Sequence, residues 1–150
     1  MVCMHYSNIL LATDGTELME SVFDHCAYVA RLTTTTVHVV HVLDVTSLRT
    51  SHIEAAWEAT YVVLQSEARA ILEASRKALV ERGVAEDSMK EALLEGHPSE
   101  EIGAYVENHA INLVIIGGHR RTSLDRLLIG SVTDKVVRTA KVPVLIVPGA

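Results

Sequence analysis

Five short aliphatic runs recur along this chain, and every pair of neighbours is separated by a stretch long enough to hold a helix. The runs fall at 9–12 (Ile-Leu-Leu-Ala), 35–43 (Thr-Thr-Val-His-Val-Val-His-Val-Leu), 88–95, 112–116 (Asn-Leu-Val-Ile-Ile) and 144–147 (Val-Leu-Ile-Val). The first, fourth and fifth do not alternate, as expected of strands buried on both faces, and the second is rich in β-branched residues. Between them, apolar residues repeat at a period of about 3.6: Leu18, Val22, Cys26 and Val29; then Trp57, Tyr61, Leu64, Ala68, Ile71, Ser75 and Leu79; then Ile102 and Val106. Parallel strands need a crossover, usually a helix, so this alternation predicts an α/β fold: a single-domain, five-stranded parallel sheet with helices on both faces. With 150 residues and no internal repeat or low-complexity linker, one domain over 1–150 is expected.

Local signals punctuate the helices. Gly83 ends the long helical stretch 51–82, and Pro98 stands at the first turn of the next helix with Glu100 and Glu101 placed to suit its dipole. Ser131-Val132-Thr133-Asp134 has the spacing of a capping box opening the last helix.

Composition narrows the function classes. Aromatic residues make up only 4% of the chain, too few for a base-stacking platform. Lys and Arg number 13 against 19 Asp and Glu, a net charge of 13 − 19 = −6, which disfavours a nucleic-acid partner. Cys3 and Cys26 make no disulfide framework, the N-terminus lacks a basic leader, and no apolar run approaches the ~20 residues of a membrane helix. A cytoplasmic protein with no membrane partner is the expectation.

In open parallel sheets, ligands bind beyond the carboxyl ends of the strands, where the strand order reverses. The candidate loops are Thr13-Asp14-Gly15, the end of the second run at Val42 to Asp44, and the segment from Gly117 to Ser131. The last holds Arg120, Arg121 and Arg126 against Asp125, a local charge of 3 − 1 = +2 in an acidic chain. It leads into a helix N-terminus, whose free amides and partial positive charge suit an anion, and Gly117, Gly118 and Gly130 lack side chains that would keep backbone amides away. Together these features point to a phosphate. Taken singly, each has a plainer reading: glycines ending a strand, a cap, a solvated basic loop.

The chain resembles the universal stress protein family over nearly its whole length. The resemblance rests on Ile9-Leu10-Leu11-Ala12-Thr13-Asp14-Gly15, His41-Val42-Leu43-Asp44, Glu95-Gly96-His97-Pro98 with Ile102, Asn112 to Gly117, and Gly130-Ser131-Val132-Thr133 through Val142 to Val147. It implies the fold of the adenine nucleotide alpha hydrolase-like type. Nucleotide-binding members carry Gly, two residues, Gly, nine residues, Gly, then Ser or Thr. Gly117, Gly130 and Ser131 match that spacing, and Arg120 stands at the second glycine. If the family backbone there needs φ > 0, Arg costs on the order of 1–2 kcal/mol, while a guanidinium hydrogen bond to phosphate returns roughly 1.5–3 kcal/mol. A changed ligand and a blocked pocket both follow from that balance.

The resemblance further implies ATP or another adenine nucleotide as ligand, with Mg2+ as a candidate counter-ion. Ala12, Thr13 and Asp14 would lie at the end of the first strand, Asp14 near adenine or ribose; Val42 would pack on the base; Gly117, Gly130, Ser131 and Val132 would line phosphates and ribose. His119 and Arg121 join this set by charge and position alone. The resemblance also implies a homodimer in which the last strand (Val144, Leu145, Ile146, Val147) pairs with its mate, covering an apolar edge that would otherwise invite association.

The eight histidines show no metal-ligand spacing. His38 and His41 are three apart on a strand and so face opposite ways, and no helix carries His-x-x-x-His. There is no Gly-x-Ser-x-Gly elbow and no evident general base for water. Three readings follow: a stress-response regulatory module binding an adenine nucleotide, an interaction protein of the same fold whose pocket is closed by Arg120, and a slow ATPase.

Overall fold

A computed structural model describes residues 4–46, 54–118 and 129–148. Its elements run β1 (Asn8–Ala12), α1 (Met19–Leu32), β2 (Thr36–Leu43), α2 (Glu54–Glu81), β3 (Met89–Glu95), α3 (Pro98–Asn108), β4 (Leu113–Gly117), α4 (Ser131–Thr139) and β5 (Val144–Val147). All strand pairs are parallel, in the order β3-β2-β1-β4-β5. The chain therefore builds outward from β1 to β3, then returns to the other side of β1 to lay down β4 and β5. The switch of direction falls between β1 and β4, where neighbouring crossovers diverge and open a crevice.

The period-two alternation along each strand sorts the core into two layers. Ile9, Leu11, Val37, Val39, Leu113 and Ile115 face α1 and α2, meeting Val22, Phe23, Cys26, Leu72 and Leu79. Leu10, Val40, Val114 and Ile116 face the other way, meeting Ile102 and Tyr105 of α3 and Val136 of α4. Each fully buried Leu, Ile or Val contributes roughly 1.5–3 kcal/mol, so a core that is aliphatic but for Phe23 and Tyr105 suffices.

Three polar arrangements lock this frame. The buried Thr13 hydroxyl donates to Ser75 Oγ at 2.9 Å, and Ser75 donates onward to the Ile71 carbonyl at 2.8 Å, tying the end of β1 to α2. Arg82 of the α2–β3 turn reaches back to α1, donating to Asp24 at 2.7 Å and Glu20 at 2.5 Å with its guanidinium over Phe23. On the opposite layer His38 is only 2% exposed. It accepts from the Tyr105 hydroxyl at Nδ1 (2.7 Å) and donates from Nε2 to Asn8 Oδ1 (3.3 Å), the neutral tautomer. Burial, then Lys90 and His109, hold its pKa below the ordinary value.

Two local expectations need correction. Ser131 is not the cap of α4: the helix starts at Ser131, Gly130 occupies the cap position in extended conformation (φ −63, ψ 157), and no side chain among the described residues caps it. The bond from Asp134 N–H to Gly130 O decides the register, one residue earlier than the capping-box spacing suggests. In α2 the buried stripe runs Ala68, Leu72, Ser75, Leu79, while Trp57, Tyr61, Leu64 and Ile71 are half-buried. Leu72 rather than Ile71 enters the core because Ile71 is turned against Gly15. Cys3, His52, residues 51–53 of the expected helix, and the loop residues His119, Arg120, Arg121, Asp125 and Arg126 lie outside the described residues.

Candidate functional site

The carboxyl ends of β1, β2 and β4 open into a cleft of about 340 Å³. Its walls come from Ala12 to Asp14 and Thr16 after β1, from Val40 to Val42 of β2, from Ile116 to Gly118 after β4, from Pro98 and Ile102 of α3, and from Gly130 to Thr133 of α4. The end of β1 is shaped by its own turn. Asp14 Oδ1 accepts from Thr16 N–H at 2.9 Å and from the Thr16 hydroxyl at 2.8 Å, an Asx turn that leaves Oδ2 without a partner among the described residues. Gly15 takes φ +76 with its Cα pressed on Ile71, where an added Cβ would sit 2.6 Å from Cγ1.

The far wall is set by α4. Thr133, buried, donates its hydroxyl to the Gly117 carbonyl at 2.9 Å, which holds the helix N-terminus beside the end of β4. The first amides of α4 have no partner within the helix and, among the described residues, no side-chain cap, so they face the cleft with the positive end of the dipole. Gly118 N–H is already engaged by the Val147 carbonyl at 2.7 Å. At Gly117 an added Cβ would meet Val22 of α1 at 3.4 Å, so the missing side chain there faces the core layer rather than the cleft.

One side of the cleft is thus an apolar slot between Val42, Ile102, Ile116 and Val132, and the other is polar backbone with one carboxylate. Asp14 is the single charged side chain among the described lining residues. Asp44 and Glu95, at the ends of β2 and β3, point to their own hydroxyl donors. The Thr46 hydroxyl holds Asp44 below the usual carboxylate range, and the Tyr61 hydroxyl, then Gln65, do the same for Glu95. Neither lines the cleft. The Cys26 thiol is buried and pushed up to about 12, which makes it unreactive. Among the described residues no group of three or more His, Cys, Asp or Glu is arranged to hold a metal ion.

Of the residues singled out in the sequence, Ala12, Thr13, Asp14, Val42, Gly117, Gly130, Ser131 and Val132 all border this one cleft. The lining also includes His41, Thr16, Pro98, Ile102, Ile116 and Thr133, which the sequence reading does not assign to a site. Their position at a strand's carboxyl end or a helix's first turns was the available signal. A second groove, about 380 Å³, runs between α3 and α4 over an aliphatic floor, crossed by ion pairs of Lys141 with Glu107 at 2.8 Å and Lys135 with Glu100 at 3.8 Å. It lacks the convergent backbone donors of the first.

A doubly flanked parallel sheet with an anion-suited cleft at its β1/β4 switch point defines the class: an α/β domain of the adenine nucleotide alpha hydrolase-like type. The universal stress protein family model matches residues 5–148, and the chain belongs to that family. Universal stress protein MJ0531 of Methanocaldococcus jannaschii is 30% identical over 142 residues, covering 95% of this chain and 82% of the relative. The solved structure of MJ0577, from the same organism, superposes with a TM-score of 0.80 at 29% identity, covering 98% of this chain and 99% of that one. The Archaeoglobus fulgidus universal stress protein described in complex with dAMP shares the fold at a TM-score of 0.67 and 24% identity, covering 95% and 98%. No helix among the described residues is long and apolar enough to cross a membrane.

Proposed function

We propose that this chain is a stress-response regulatory module that binds an adenine nucleotide, ATP foremost, in the β1/β4 cleft. One observation carries the reading: an apolar slot and the N-terminus of α4, uncapped among the described residues, share a single cleft at the switch point. In this reading the base lies against Val42 and Ile116. The free Oδ2 of Asp14 accepts from a ribose hydroxyl or the exocyclic amine, and the α4 amides at Ser131 and Val132 take the phosphates. His119, Arg120 and Arg121 supply the cationic counterpart to the phosphates that the described lining lacks, and Mg2+ would accompany a triphosphate. The fold has held such a guest in the A. fulgidus protein described with dAMP, which supports the class of ligand.

Such a module signals by occupancy. A second copy completes the assembly by pairing along β5, where Val144, Leu145 and Ile146 remain only half-buried at the edge of the sheet.

The test is calorimetric titration of the purified protein with ATP, ADP, AMP and GTP, alongside the supernatant of denatured protein assayed for carried nucleotide. Saturable binding of adenine nucleotides in preference to GTP is expected. No binding in the parent, with binding gained in Arg120→Gly, would establish the closed pocket instead. Phosphate release above the protein-free control, abolished in Gly130→Ala, would establish an ATPase.

A further inference from the structure

The β1–β2 ladder ends at the pair Ala12 and Val40, followed by one more bond from Thr13 N–H to the Val40 carbonyl at 2.9 Å. In a parallel ladder the next bond on this edge would run from Val42 N–H to the Thr13 carbonyl. Here the imidazole of His41 takes that carbonyl, Nδ1–H donating at 2.7 Å. A carbonyl accepts only, so this contact fixes the proton on Nδ1. Thr13 is then held from three directions: its amide by Val40, its hydroxyl by Ser75 and its carbonyl by His41. The next residue is Asp14, whose turn presents the one charged side chain of the described lining.

We infer that His41 is a positioning residue of the cleft, acting through the Thr13 carbonyl to set the direction in which the Asp14 turn leaves β1. The inference rests on the nucleotide reading for its consequence and on the chain's own contacts around Thr13 for its mechanism. The peptide between Thr13 and Asp14 carries the His41 contact on its carbonyl side, so its rotation moves the Asp14 Cα and carboxylate together. Ser75 and Val40 restrain Thr13 itself but leave that peptide free to turn. The side chain of His41 lies on the α1/α2 side of the sheet, opposite Val42, and meets the cleft border at this carbonyl.

Two conservative variants separate positioning from contact with the guest. In His41→Asn the amide nitrogen falls where Nδ1 stood and keeps the bond to Thr13 O. In His41→Gln the amide sits one methylene further out, where Nε2 stood, and loses it. Calorimetric titration with ATP should find the Asn variant within about threefold of the parent and the Gln variant weaker by about tenfold, the share of one hydrogen bond. Equal losses in both variants, or a loss in Asn with retention in Gln, would overturn the inference, as would parental affinity in His41→Leu. Amide exchange of Asp14 to Thr16 in nucleotide-free protein supplies the independent arm. Faster exchange in the Gln variant than in the parent and Asn variant is expected, and identical exchange in all three would overturn the inference. A parent that binds no nucleotide refutes the functional reading, and the exchange arm then decides His41 alone.

Discussion

Gly15 stands where the Asp14 turn meets α2, and replacing it by alanine tests how the cleft wall is held. Its φ of +76 lies in the left-handed region, so a Cβ costs on the order of 1–2 kcal/mol in backbone strain. The same Cβ would sit 2.6 Å from Cγ1 and 2.8 Å from Cδ1 of Ile71, a clash that forces the Ile71 side chain, α2 or the turn to move. Overpacking of this kind costs about 1–3 kcal/mol, so Gly15→Ala should lose about 2–5 kcal/mol against a total stability of about 5–15 kcal/mol. Urea unfolding followed by circular dichroism reads this directly. In an Ile71→Ala background, which removes the three nearest atoms the new Cβ would meet, only the backbone part of about 1–2 kcal/mol should remain. An unchanged penalty in both backgrounds, or a loss below about 1 kcal/mol in the parent, would refute the steric argument.

Other outcomes follow from the buried polar groups and the open edge. Burial, Lys90 and His109 keep His38 below its ordinary value near 6.5, so below that pH the unfolded chain binds more protons than the folded one. Stability should therefore fall as the pH drops from 6.5, and the His38 ring resonance should titrate below 6.5; a midpoint at or above it would contradict the buried neutral tautomer. Tyr105→Phe removes the donor to His38 Nδ1 and should cost roughly 1–3 kcal/mol at pH 7.5, read by urea unfolding, with no loss counting against the network. Ile146→Lys places a charge at the half-buried edge of the sheet and should convert a dimer to a monomer in light scattering at unchanged circular dichroism. A parent that is already monomeric at micromolar concentration would remove the β5 pairing.

The strands were legible because their signals are local and short. Val144–Val147 is bracketed by Pro143 and Pro148, which left little room for its ends to move, and the unbroken apolar run of Leu113 to Ile116 could only be a doubly covered strand. The errors came where two local readings differ by one residue. Ser131 carries a capping side chain, yet the backbone bond to Gly130 moves the cap one position earlier. Ile71 and Leu72 compete for one helical stripe, and the contact with Gly15, far away in sequence, chooses between them. The cleft was legible at its loops, because Thr13-Asp14-Gly15 and Gly130-Ser131 carry turn and helix-start chemistry. His41, Ile116 and Thr133 were not, since each looks like an ordinary core residue until the neighbouring element is laid beside it.

The most direct test is nuclear magnetic resonance mapping of ATP onto the nitrogen-15-labelled protein. The account predicts saturable shifts at the amides of Thr13 to Thr16, His41 and Val42, Gly117 and Gly118, and Ser131 to Thr133, with the α3–α4 groove around Gly103 and Thr139 silent. Shifts confined to that groove, or a spectrum unmoved at millimolar ATP, would contradict it.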